Sequence, residues 1–140
     1  METKALIPGG VYYLGKQYDL QIVVKPDMKK PSVQVNEHLL TISCADEQQA
    51  DLNKVLKSFY TKAARKLIAD RLQYYQPQLR LKYRAFAIES SASRWGSCNF
   101  EKKLTFNWRL MMLPPFVIDY VVVHELCHLQ HMNHDRSFWR

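Results

Sequence analysis

The stretch PFVIDYVVVHELCHLQHMNH, residues 115–134, holds four of the five histidines in a chain of 140 residues. Pro114 and Pro115 open it, and proline suits a first helical turn because its missing N–H has no intrahelical partner there. The apolar run that follows predicts a helix over residues 114–132. An α-helix turns once per about 3.6 residues, so His124 and His128 project from one face. Two imidazoles at that separation can hold one metal ion. Glu125, one position along, lies beside such an ion rather than on it. This is the HExxH arrangement, and its chemistry explains the spacing. Zinc lowers the pKa of its water to about 7, and the neighbouring carboxylate collects the proton as oxygen attacks an electrophile.

A third ligand is expected at His134. A continuous helix cannot bring that position onto the 124/128 face, but Asn133 tolerates the left-handed conformation that ends helices. Water then takes the fourth, open position of a catalytic site. His131 is the alternative: three past His128, it either approaches the metal or faces solvent. The plainer readings of the cluster are a structural zinc site or a polar helix end. Structural sites usually close with cysteine or a fourth histidine, and Glu125 would then have no task.

The rest of the chain sets the frame. Its composition, 47% hydrophobic and 24% charged, is that of a globular domain and argues against disorder. Residues 1–140 are expected to form one domain. No stretch resembles a signal peptide or spans a bilayer, because the longest apolar run, FVIDYVVV, is short and broken by Asp119. Three cysteines without a CxxC pair fit a reducing, cytoplasmic setting, each as a small buried hydrophobe. Net charge is +7, divided as −1 over residues 1–50 and +8 over residues 51–140. A basic half favours phosphate-bearing partners, or is simply solvated.

Residues 10–45 alternate β-branched and aromatic runs with turn material such as PDMKKP and predict a small antiparallel sheet. Residues 46–75 predict an amphipathic helix with a basic outer face. Asp46 and Gln49 form its capping box, and it stops ahead of Pro77. Residues 82–111 predict strands around a hairpin, YRAFAIES and SRWGSC, then a turn at NFEKK, then LTFNWRL.

RWGSC, LTFNWRL and VIDYVVVHELCHLQHMNHDRSFW together resemble the YgjP-like metal-dependent hydrolase family, related to SprT-like and WLM domains. The resemblance implies an α+β, zincin-like fold: a small twisted antiparallel sheet packed against the amphipathic helix and the HExxH helix, with the β-rich segment at the N-terminus. It implies zinc held by His124, His128 and His134, with Glu125 as base. It also places Arg94, Trp95, Ser97, Asn107 and Trp108 in the signature around the cleft. Two departures stand out. The histidine spacing also matches metzincins, but His131 occupies their glycine position and only six residues follow His134, too few for a Met-turn or a further glutamate ligand. Family members generally continue past the FW, so this chain is expected to lack a C-terminal segment.

Arg94 is read as an oxyanion or phosphate grip, or as a surface salt bridge. Trp95 and Trp108 wall a cleft or pack in the core. Tyr120, one turn before His124, reaches the site or is buried. Asn107 orients a ligand imidazole. LTFNWRL suggests an edge for an extended peptide.

Three functions follow. The first is a zinc metallopeptidase in which zinc-bound water, activated by Glu125, attacks a peptide carbonyl of a peptide or protein substrate. The second is a metal-dependent nucleotide (UTP) pyrophosphatase. The third is a non-catalytic nucleic-acid-binding module with a structural metal.

Overall fold

The computed structural model describes residues 2–45, 51–90 and 94–131. The fold is α+β, with two helices and two small mixed sheets. Two compact units are distinguished: Met1–Tyr60 with Met112–Pro114, and Thr61–Met111 with Pro115–Arg140. Among the described residues, no helix is long and apolar enough to cross a membrane.

The first unit holds β1 (Glu2–Tyr13), β2 (Lys16–Val24), β3 (Ser32–Val35) and β4 (Leu39–Cys44), in the order β1-β2-β4-β3. Leu14 and Gly15, both with positive φ (52° and 81°), close the β1–β2 hairpin. Two successive left-handed residues match the twist of the strands they join. The expected antiparallel sheet is corrected here, because β2 and β4 run parallel, Leu20 opposite Leu40 and Ile22 opposite Ile42. The reason lies in hydrophobicity. β4, LLTISC, is apolar at most positions and buries Leu40, Ile42, Ser43 and Cys44. β3, SVQV, offers only two valines between exposed polar residues. The apolar strand takes the interior place and the half-polar one the edge. Val11, Leu20, Leu40 and Ile42 form the core of this unit, with Leu52, Val55, Leu56 and Phe59 packed against it.

Those last four residues open α1 (Leu52–Leu79). Asp51 is its N-cap, its carboxylate accepting from the Lys54 N–H at 3.3 Å. The expected capping box at Asp46 and Gln49 lies outside the described residues. Tyr60, Ala64, Ile68 and Leu72 recur every fourth residue, and none is more than 1% exposed. Contrary to expectation, α1 runs past Pro77. Proline removes one hydrogen bond to the Gln73 carbonyl, a loss tolerable so near the end. The helix stops two residues later, at Leu79. Leu81 N–H reaches Gln76 O, Arg80 N–H reaches Pro77 O, both at 3.3 Å, and Arg80 turns left-handed at φ 55°. That is a Schellman ending with arginine where glycine is usual.

Tyr60 donates its hydroxyl to the Tyr12 carbonyl. Burial first, and the Tyr13 hydroxyl second, push its pKa up to about 12 from an ordinary 10. An acid whose pKa is raised by folding stabilises the fold fully below its unfolded pKa and loses that contribution as pH climbs through the folded value. Denaturant midpoints are therefore expected to fall between about pH 10 and 12, and to fall less steeply in Tyr60→Phe. Parallel pH slopes in both proteins would contradict this.

The second unit holds β5 (Ala85–Glu89), β6 (Gly96–Cys98) and β7 (Lys103–Asn107), in the order β5-β7-β6. The hairpin is present as β6 and β7, joined by a turn in which Asn99 Oδ1 accepts from Glu101 and Lys103 N–H. β5, however, runs parallel to β7, so this sheet too is mixed. β7 buries Leu104, Phe106 and Asn107 and takes the centre, while the three-residue β6 takes an edge. A short 3-10 turn (Trp108–Met112) leads on to α2 (Pro115–His128), followed by a second 3-10 turn (Leu129–His131). Arg71 of α1 grips Asp119 of α2 through two bonds of 2.8 and 3.1 Å, and Tyr75 adds a third at 3.1 Å.

Candidate metal centre

α2 has two faces. Ile118, Val122 and Leu126 lie on one and are buried. Phe116, Tyr120 and His124 follow each other at four-residue steps on the other and are exposed. His128 continues that outer row. Glu125 sits between the faces and is buried, although a carboxylate is costly to remove from water without a partner.

His124, Glu125 and His128 can each present a donor atom within 4.8 Å of the others. The two rings are 4.7 Å apart at 74°, and His124 Nδ1 lies 3.5 Å from Glu125 Oε2. Two imidazole nitrogens and an oxygen are donors suited to a divalent metal such as zinc, and the half-exposed His124 leaves them reachable. The chemistry of the donor set fits the metal expected from the sequence. His134 lies outside the described residues, as does the side chain of His131.

Gly96 of β6 explains how Glu125 fits. A Cβ there would stand 3.0 Å from Glu125 Cγ, 3.1 Å from its Oε2 and 3.1 Å from the Thr105 carbonyl. Only a residue without a side chain lets the strand lie this close to the carboxylate. Cys98, two residues along, has its thiol pKa pushed up to about 11, first by burial and then by the Glu125 charge. It stays a neutral thiol, unsuited to act as nucleophile. Of the other cysteines, Cys44 is buried as expected and Cys127 is exposed on α2.

Tyr120 is 68% exposed and stacks on His124, ring centroids 6.0 Å apart. It belongs to the outer row of α2, which corrects the expectation of a buried tyrosine. Trp95 is 46% exposed, against the core-packing reading. Trp108 donates its indole N–H to Ser90 Oγ at 2.7 Å. Ser97 Oγ bonds Thr105 Oγ1 across the hairpin. Asn107 is buried and acts as a latch: its Nδ2 donates to Arg94 O, its Oδ1 accepts from Arg109 N–H, and its own N–H donates to Trp95 O. Those bonds fix the strand that carries Gly96. Arg94 pairs with Glu89 at 3.7 Å, the salt-bridge reading. β7, the strand of LTFNWRL, lies between β5 and β6, so among the described residues it offers no edge to a peptide; the edge nearest Glu125 is β6.

Gly96 and the Arg71–Asp119 anchor were not legible as site elements. The one available signal was a lone glycine within a strand-like run, which often marks a close backbone approach.

A helix that brings two histidines and a buried glutamate together, in a small α+β fold, defines a metal-dependent hydrolase. A family model described as YgjP-like, metallopeptidase domain, matches residues 2–140, and the chain belongs to that family. No curated protein and no solved structure matches it.

Proposed function

We propose that the chain is a zinc-dependent peptidase. The observation that carries this reading is the convergence of His124, Glu125 and His128 within 4.8 Å, with Glu125 buried against Gly96. His124 and His128 hold the metal, and His134 is the third ligand. When bound, zinc supplies a Lewis acid that polarises the scissile carbonyl and acidifies water. Glu125 takes the proton of the attacking water and returns it to the leaving amine, which keeps both steps on one group. Burial keeps Glu125 in one place, and Gly96 leaves it room to face the reacting atoms. The edge of β6 suits an extended peptide laid beside Glu125. The exposed Tyr120 and Trp95 offer apolar surface for its side chains. A phosphoanhydride substrate would instead use Arg94, which stands 3.7 Å from Glu89 with its side chain 59% exposed.

The test is elemental analysis of the purified chain beside His128→Ala. About one zinc per chain, lost in the variant, is the expected result. Zinc retained at the same stoichiometry by His128→Ala would refute the ligand assignment.

A further inference from the structure

The second unit contains a cavity of about 500 Å³ that shares no described residue with the metal centre. It lies where α1 and the β6–β7 turn both end. Pro77, Leu81 and Leu129 give it apolar walls, and Arg80, Lys82 and Lys102 give it three cations. No carboxylate is among the described residues that line it, and none of the three cations has an ion-pair partner among the described residues. Like charges gathered around one concavity repel each other and focus a positive field into it.

Two of the cations also occupy unusual positions. Arg80 and Lys102 both have left-handed φ, 55° and 61°. One ends a helix and the other ends a hairpin turn, and glycine is the residue that fits such places without steric cost. The chain carries a long cation at each instead, and both line the same cavity. Sterically costly residues of this kind tend to be kept where a ligand is held.

We propose that this cavity binds a small organic phosphate monoester. A phosphate monoester carries a charge near −2 and three strong acceptor oxygens, one for each cation. A carboxylate, with one charge, would balance only one of the three cations, where the ester balances about two. The apolar walls cover the organic part of the ester, and the volume suits a ligand of that size. This site is independent of the peptidase reading.

The test is titration calorimetry of the full chain with phenyl phosphate, with inorganic phosphate and benzoate as comparators. Phenyl phosphate is expected to bind about tenfold or more tightly than either comparator. The double variant Arg80→Gly, Lys102→Gly removes two charges while relieving the backbone. It is expected to keep or raise Tm and to lose at least about tenfold in phenyl phosphate affinity. Equal affinity in the double variant would overturn the proposal, as would equal binding of benzoate. So would a wild-type chain that binds a single-stranded oligonucleotide but not phenyl phosphate, since the cations would then form a track for an extended polyanion.

Discussion

Glu125→Gln is expected to lower peptide hydrolysis by about a hundred- to ten-thousand-fold while bound zinc stays at the wild-type level. Glutamine keeps the shape of the side chain, so the pocket against Gly96 remains filled. It cannot accept a proton, so the attacking water keeps its own. The substitution also exchanges a buried carboxylate for a neutral amide, which removes a desolvation cost, and the variant should be at least as stable as the parent. Hydrolysis of a casein or fluorogenic peptide substrate, read with zinc content and Tm, checks all three outcomes. Undiminished hydrolysis with zinc in place would remove Glu125 from the role of base. Loss of zinc together with activity would instead make Glu125 a ligand.

Gly96→Val is expected to lower kcat by about a hundredfold, again with zinc retained. A Cβ at this position already stands 3.0 Å from Glu125 Cγ and 3.1 Å from the Thr105 carbonyl. The carbonyl belongs to the neighbouring central strand and cannot retreat. The carboxylate therefore moves, and a displacement near 1 Å costs on that order in rate. Gly96→Ala should show an intermediate loss, because its single methyl needs only a few tenths of an ångström. A graded series Gly, Ala, Val in kcat, with KM and zinc content little changed, distinguishes a displaced base from a disrupted strand. A fall in zinc content that tracks the fall in kcat would point to general unfolding of the hairpin.

The two variants test different links. Glutamine at 125 changes the chemistry and leaves the geometry. Valine at 96 changes the geometry and leaves the chemistry.

The sequence alone determined the helix that carries the site. Its apolar row at Ile118, Val122 and Leu126, and its outer row at His124 and His128, follow from periodicity, because side chains four apart always share a face. The β-rich start, the long helix with its four-residue apolar step, and the β6–β7 hairpin were legible for the same reason: each is a local pattern. What surrounds the site was not. Whether β4 lies beside β2 or beyond β3, and whether β7 is an edge or a centre, depends on which strand gains most from being covered on both sides. That competition is between segments distant in sequence, and LLTISC and KLTFN win it only when SVQV and GSC are present to take the edges. The helix outran Pro77 because a Schellman ending beyond it satisfied the carbonyls, which residue preferences do not reveal. Asn107 became a latch and Arg94 a partner of Glu89 because tertiary packing set those backbones side by side. Gly96 reads in sequence as a mere interruption of a strand. Only when α2 lies against β6 does the absence of its side chain become the space that Glu125 fills.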